Sequence, residues 1–523
     1  MRRVHLVVLV LLTLVGGWLR FSSTSFGLPD KYRPDEEYLL SRALGFEGDW
    51  NPHFAVYPAA YLYVQHAVLR GYALAVGYRR NFREVYASDR QALAYLIARR
   101  TSAAFGTATI PMIYLAGARA FGPPSGLAAA AILTFSPIHV RDSKYATTDA
   151  PTAFWLTVAI WLTMRMIHRG RVSDSLLAGL ATGYAIANKY PAGALMIGVA
   201  VAHLEARWRE GRSLWRVFRD IRPWVAAYAA IVAFLCGTPY FVLDWQQTVK
   251  DFEYQRGFIE RGVGNELAGW GWPWLFLKVM PDSFGLLLMA LLLAGLVWAV
   301  VRPRLGTLSL FAFILVAFVG MTSSRYTFYR YVLVPLPALV LLAGRLVGDA
   351  YAWLSTVVRP VRAGVVTAAL LALCLTPSAI RDWKLNRLLA RRDTRTIARE
   401  WIEQNVLRPA KIAATDHLTP YGKPQLPPGY TLVEMDDVAS LRANGVRFVI
   451  SDESPLRFYS RGPTPAQLRD LERNARLVLD VDPHDGGDAP QPVFDMADAF
   501  YAPLQHASSM KRPGPRIRIW QID

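Results

Sequence analysis

The sequence predicts a polytopic α-helical membrane protein with a small soluble α/β domain at its C-terminal end, and three observations carry that prediction. Hydrophobic residues make up 53% of the 523 positions and charged residues only 19%, against roughly 45–50% and 25% in ordinary soluble domains. The apolar residues are bunched into runs of about 15 to 25, the length that crosses about 30 Å of hydrocarbon at 1.5 Å per residue. After residue 380 charges and prolines rise and short alternating segments replace the long runs. With a mean hydropathy of +0.21, these features exclude intrinsic disorder and argue against a soluble multidomain enzyme.

The first run, Val4 to Leu19, follows Met1-Arg2-Arg3 and resembles a signal peptide in charge and length. It lacks a small-residue cleavage site before Arg20 and further spans follow, so it is read as an uncleaved first helix with its N-terminus inside. Further runs at 101–118, 125–140, 150–166, 175–188, 190–204, 224–240, 283–301, 306–321, 331–348 and 363–380 bring the count to about eleven spans. The stretch Tyr57 to Tyr78 is also apolar. The basic segments Arg165 to Arg171, Arg207 to Arg222, Arg302 to Arg304 and Arg359 to Arg362 share the side of Arg2-Arg3 only if that stretch does not cross. It is therefore read as one or two helices at the outer interface. Arg79, Arg80, Arg83, Arg90, Arg99 and Arg100 then lie outside, against the positive-inside tendency, which leaves either a shifted parity or an anionic ligand. Asn188-Lys189-Tyr190-Pro191 marks a break between two short spans, because proline disfavours helix in the residue before it.

The balance of 58 Lys and Arg against 40 Asp and Glu, net +18, is accounted for by basic loops between spans, and no nucleic-acid partner is expected. Cys236 and Cys374 both lie in apolar runs, which disfavours a disulfide framework or a thiolate zinc site. The expected domains are 1–380, a transmembrane domain, and 381–523, an extracytoplasmic α/β domain. In the latter, helices are expected at Asp393 to Asn405, Asp436 to Ala443 and Pro465 to Ala475. Strands are expected at Lys411 to Thr415, Tyr430 to Glu434, Arg447 to Ser451, Arg476 to Val481 and Arg516 to Ile522.

Chemistry-bearing residues gather at the expected outer ends of the spans. Asp35, Glu36 and Glu37 follow the first helix, and adjacent carboxylates can raise one another's affinity for a proton and so supply a general base. A solvated acidic turn is the plainer alternative. Asp142, Lys144 and Asp149 occupy a short polar loop, where Asp149 also suits a helix N-cap. Arg100, Lys144, Lys189, Arg325 and Arg330 together suit a phosphate-bearing ligand, and each alone also suits a snorkelling interface anchor.

Several motifs occur in a recognisable order: Pro34-Asp35-Glu36; Asn51-Pro52-His53-Phe54 with Tyr57-Pro58; Arg100 with Ser102; and Ser136-Pro137 with Asp142-Ser143 and Asp149. Asn188-Lys189-Tyr190 and Arg330-Tyr331 with Pro335 and Pro337 complete the series. Over residues 1–350 this resembles the family-39-type, polyprenyl-phosphate-dependent glycosyltransferases, which include protein O-mannosyltransferases and the lipid A aminoarabinose transferase. Asp393-Thr394-Arg395 with Trp401-Ile402 resembles the start of the soluble domain that many bacterial members append. The resemblance implies a GT-C fold in a bacterial-type inner membrane and an inverting transfer of a sugar from a polyprenyl-phosphate carrier on the extracytoplasmic face. It implies Asp35 as base with Glu36 beside it, donor phosphate on Arg100, Lys189 and Arg330, and acceptor or substrate positioning by His53, Tyr57, Asp142, Lys144, Asp149 and Arg325. A divalent cation would meet Glu36 and Asp149. The acceptor is a glycan, a lipid or a protein, the last disfavoured because the large lumenal insertion of the O-mannosyltransferases is missing.

Three other patterns do not support a site. Gly262-Val263-Gly264 follows no strand and lacks the third glycine of a nucleotide loop. Asp480, Asp482, Asp485 and Asp488 miss calcium-loop spacing. His53, His139 and His417 share no ligand spacing. Competing functions are an oligosaccharide ligase, and a transporter or lipid flippase; the latter commonly shows repeated halves that are not seen here.

Overall fold

The computed structural model describes residues 2–78, 82–86, 91–211, 215, 219–261, 271–325, 327–415, 421–456, 461–486, 490–496 and 501–522. Arg79, Arg80, Arg90, Gly262-Val263-Gly264, His417 and Asp488 lie outside the described residues. The chain divides into two compact units, Met1–Thr24 with Leu39–Asp382, and Ser25–Tyr38 with Trp383–Asp523.

The first unit is helical, and every expected apolar run falls on helix. Arg2–Phe21 holds the first run, Gln91–Phe121 the second, and Pro123–Thr134 with Pro137–Asp142 the third, broken at Ser136-Pro137. Asp149–Arg169, Val172–Ile186, Ala194–Arg209, Ile221–Gly237, Leu286–Val301, Thr307–Thr322, Leu336–Val357 and Pro360–Leu389 take the others, and Ala60–Ala75 lies in the stretch read as interfacial. Four described helices are long and apolar enough to cross a membrane: Arg3–Phe21, Asp149–Arg169, Leu336–Val357 and one within Pro360–Asn405. Ile221–Gly237, Leu286–Val301 and Thr307–Thr322 are shorter apolar helices. Between membrane helices the hydrophobic effect gives little, so small residues that permit close approach take over. Gly179 and Gly183 illustrate this: a Cβ on either would run into the carbonyl oxygen of Ala226 or Ala230 on the neighbouring helix.

The second unit is built on a five-stranded mixed sheet in the order β2-β1-β3-β5-β4, with β1 at Ala410–Ala414, β2 at Tyr430–Glu434, β3 at Phe448–Glu453, β4 at Arg476–Val481 and β5 at Arg516–Gln521. β1 pairs parallel with β2 and β3, and β5 antiparallel with β3 and β4. Period-two alternation sorts the core. Ile412, Ala414, Ile450, Ile517 and Ile519 pack with Ala398 and Ile402 of the helix Thr394–Asn405, while Ala413, Val449 and Trp520 face Val438, Leu441 and Leu471 of the two later helices. The helix starts are locally encoded: Asp393 caps through the Arg395 amide, and Thr464 and Gln467 form a reciprocal capping box.

The segment 25–38 was expected within the transmembrane domain, and it packs instead with the C-terminal unit. Its polar side chains find their partners there. Asp30 pairs with Arg399 at 2.9 Å and accepts hydrogen bonds from Thr396 at 2.9 Å and Tyr32 at 2.8 Å. The buried Arg395 guanidinium, held by Asp393 at 2.7 Å, lies 3.5 Å from the Tyr32 ring centroid. The Lys31 amide donates to Gln425 at 2.9 Å.

Candidate functional site

In the second unit Asp35, Glu36 and Glu37 open the helix Pro34–Gly45, where carboxylates complement the positive end of the helix dipole. Asp35 keeps 26% of its side chain exposed, with the Arg33 guanidinium at 4.0 Å, whereas Glu36 is 1% exposed. Of the two, Asp35 is the carboxylate that a solute can reach. Tyr421 donates to Glu37 at 3.4 Å, and burial next to that carboxylate raises the Tyr421 phenol well above its usual range.

In the first unit the cationic residues converge where helices break. Val172–Ile186 ends at Ala187, and Lys189 takes an extended conformation, φ −158° and ψ 121°, before the short 3-10 turn Tyr190–Gly193. Pro191 disfavours helix in the residue before it, and the break lets the Lys189 ammonium reach the Asp149 carboxylate at the first turn of Asp149–Arg169. Both side chains are buried. The ammonium also lies 5.3 Å from the Tyr331 ring centroid. Tyr331 packs on Phe328 at 5.3 Å, and the largely buried Arg330 guanidinium lies 4.6 Å over the Phe328 ring. Lys189 and Asp149, with the half-buried Tyr331 and the largely buried Arg330, thus form one cluster, in which, among the described residues, cation–π contact and the Asp149 carboxylate hold the lysine.

Lys144 has a different environment. Buried in the loop after Pro137–Asp142, it donates to the backbone carbonyls of Leu19, of Arg20 at 3.4 Å and of Ser22 at 2.8 Å. These carbonyls lie at and just beyond the C-terminal end of Arg2–Phe21, so Lys144 caps the negative end of that helix. Asp142 is buried beside Arg141 at 3.3 Å. Arg100 and Arg325 are exposed and stand outside the cluster. The arginine that α-helical rotation turns inward is the neighbour of Arg100, Arg99, which donates to the Thr24 carbonyl at 3.0 Å. On the same helix Ser102 meets the Tyr61 hydroxyl at 2.5 Å.

His53 is 64% exposed, with its ring 2.8 Å from Asp49 and 3.6 Å from Asp244. Its backbone is left-handed at φ 47°, held by its amide donating to Asn51 at 2.9 Å. The Asn51 amide and the His53 ring keep the Asp49 carboxyl below its usual range. Tyr57 packs on Phe54 at 6.1 Å. The loop is joined to the helix break by the Tyr190 hydroxyl, which donates to the Ala55 carbonyl at 2.8 Å, and by the Ala60 amide, which donates to the Ala187 carbonyl at 3.1 Å. Sequence reasoning names Arg99 only among the arginines of the outer side, as a residue for an anionic ligand, and does not reach Asp244 and the residues that follow it; no local motif marks their partners, which are remote in the chain.

Among the described residues no three His, Cys, Asp or Glu side chains gather as a cation site. Asp149 faces the Lys189 ammonium, an arrangement that does not suit a divalent ion.

Residues 96–242 match the family described as dolichyl-phosphate-mannose-protein mannosyltransferase, a stretch that contains Arg100, Asp142, Lys144, Asp149 and Lys189. No protein of curated function matches the chain by sequence. Among solved structures, the oligosaccharyltransferase of Archaeoglobus fulgidus, tethered to an acceptor peptide with the NVT sequon, is similar with a TM-score of 0.51 at 12% identity, over 87% of this chain and 69% of that one. ArnT from Cupriavidus metallidurans, bound to undecaprenyl phosphate, is similar with a TM-score of 0.50 at 16% identity, over 98% of this chain and 97% of that one. At these identities the likeness is one of fold. The fold is GT-C, and the family match agrees with the family-39-type resemblance carried by the sequence motifs.

Proposed function

We propose that this membrane-embedded GT-C chain of the family-39 type is an inverting glycosyltransferase that moves a sugar from a polyprenyl-phosphate carrier to a hydroxyl acceptor on the extracytoplasmic face of a bacterial-type inner membrane. The observation that carries the reading is the buried Lys189–Asp149 pair beside Arg330 and Tyr331, with both partners of the pair inside the family-matched stretch. An ammonium held by one carboxylate and an aromatic face can exchange that carboxylate for a phosphate.

In the proposed reaction Asp35 takes the proton of the acceptor hydroxyl as its oxygen attacks the anomeric carbon. The bond from that carbon to the phosphate oxygen breaks, and the electron pair leaves with the carrier phosphate. One displacement inverts the anomeric centre. The charge that develops is on phosphate, so Lys189 and Arg330 stabilise departure and no strong acid is needed. Asp149 holds Lys189 in place between turnovers. The partial exposure of Asp35 against the burial of Glu36 supports Asp35 as the proton acceptor. The topology proposed is about eleven spans, with the C-terminal unit outside.

The test is to incubate purified protein with a panel of polyprenyl-phosphate sugars and follow release of the sugar-free carrier. Release from at least one donor, lost in Asp35→Asn, is the expected result; an inert wild type across the panel overturns the reading. Sidedness is tested separately with Ala443→Cys, an exposed position, which is expected to react with an impermeant thiol reagent in intact cells.

A further inference from the structure

The segment 25–38, which carries Asp35, is folded into the C-terminal unit, and the ties that hold it there sit on both sides of that carboxylate. On the N-terminal side Asp30 is buried and meets the Arg399 guanidinium and the Thr396 hydroxyl, each at 2.9 Å. The main chain of Lys31 is bracketed by one side chain: its N–H donates to the Gln425 carbonyl oxygen at 2.9 Å, and its carbonyl accepts from the Gln425 amide nitrogen. The Tyr32 ring lies against the Arg395 guanidinium. On the C-terminal side Glu37 accepts from the Tyr421 hydroxyl at 3.4 Å and faces the Lys31 ammonium at 3.8 Å.

The Asp393-Thr394-Arg395 motif shows how these ties converge. Asp393 caps the helix Thr394–Asn405 and holds the Arg395 side chain through both carboxylate oxygens, at 2.8 and 2.7 Å. Arg395 donates in turn to the Tyr421 carbonyl and lies 4.7 Å from the Tyr501 ring centroid. Thr396 and Arg399, three residues apart on the same helix, share the face that meets Asp30.

The anchoring reaches Asp35 through a stiff connection. Pro34 has a fixed φ and opens the helix Pro34–Gly45, and the Arg33 carbonyl accepts the Glu37 amide at 3.2 Å. A buried ion pair such as Asp30–Arg399 adds little net stability, because desolvation offsets its attraction, and what it can supply is a single geometry. Proton transfer demands that, since a displacement of about 1 Å can cost on the order of 10²-fold in rate. We propose that Gln425 and Arg399 of the C-terminal unit are positioning residues, which hold the segment 30–37 so that Asp35 meets the acceptor hydroxyl. The inference rests on the transferase reading for the role of Asp35; the anchoring itself is measurable without turnover.

The experiment uses the full chain in detergent and the variants Gln425→Ala and Arg399→Gln. It combines steady-state release of sugar-free carrier with hydrogen–deuterium exchange at residues 30–37. Each variant is expected to lower kcat about tenfold with KM for the donor unchanged, because Lys189 and Arg330 are untouched. Exchange at 30–37 is expected to speed up while β1 and β3 keep their protection. Arg399→Lys, which can still pair with Asp30, is expected to recover most of the lost kcat. Lys31 is only half-buried, so water can replace what Gln425→Ala removes, and that variant serves should Arg399→Gln fail to fold. Unchanged kcat or unchanged exchange at 30–37 in folded Gln425→Ala overturns the proposal, and so does a loss of kcat that comes with lost protection of the strands. A wild type inert on every donor overturns the transferase reading; faster exchange at 30–37 in the variants would then still uphold the anchoring, and unchanged exchange would remove both.

Discussion

Lys144 and Lys189 are two buried lysines at helix ends in the same unit, and their surroundings give them different work. Lys144 directs its donors at backbone carbonyls of residues 19, 20 and 22, groups that cannot move away without unravelling a helix end. Lys189 meets one carboxylate and the face of a tyrosine, partners that a phosphate can replace or share. A charged donor satisfied by main chain is part of the scaffold; the same donor satisfied by an exchangeable side chain is available to a ligand. Burial alone does not distinguish them, because both are nearly inaccessible.

The largest expected effect concerns the base, and it sharpens this comparison by separating chemistry from binding. Asp35→Asn is expected to slow transfer by about 10²–10⁴-fold while sugar-free carrier still binds with its Lys189-dependent affinity. Carrier affinity lost along with turnover would place Asp35 in binding rather than catalysis.

Next in size is Lys144→Met, which leaves the carbonyls at the end of Arg2–Phe21 without their donor and is expected to destabilise the fold by on the order of 3 kcal/mol. Thermal melting in detergent measures it. The pH dependence gives an independent signature. Burial, with the nearby charge of Arg20 and against that of Asp382, pushes Lys144 down from 10.5 to about 7. Between those values the unfolded chain holds the extra proton, so stability rises with pH from about 7 towards 10 and is flat below 7. That slope is expected in wild type and absent from Lys144→Met; identical slopes would remove Lys144 from its role as a cap.

Lys189→Met leaves the buried Asp149 carboxylate without its ammonium and is itself expected to destabilise the fold by on the order of 3 kcal/mol; what sets it apart from Lys144→Met is a weakening of carrier binding by about 1.5–3 kcal/mol, one charge-assisted contact. A loss of stability equal to that of Lys144→Met, with carrier affinity retained, would make the two lysines equivalent and break the comparison. The smallest effects are expected at the exposed arginines. Arg100→Gln and Arg325→Gln should change carrier affinity by less than about 0.5 kcal/mol, and a tenfold loss in either would return it to the phosphate site.

Much of this was determined by local sequence. The apolar runs became helices because their length and composition leave the backbone no other way to satisfy its hydrogen bonds in lipid. Asn188 to Pro191 became a break where proline disfavours helix in the residue before it, and the strands of the C-terminal unit followed from period-two alternation, seen where Ile412 and Ala414 face one helix and Ala413 faces the others. The tertiary structure decided the rest. It chose Arg99 over Arg100 by helix rotation, turned Lys144 into a cap, assigned residues 25–38 to the C-terminal unit through Asp30 and Tyr32, and brought Asp244 to Asn51. The physical reason is common to all four: a buried polar group is defined by the partner that compensates its desolvation, and each of these partners lies far along the chain, where no local pattern can name it.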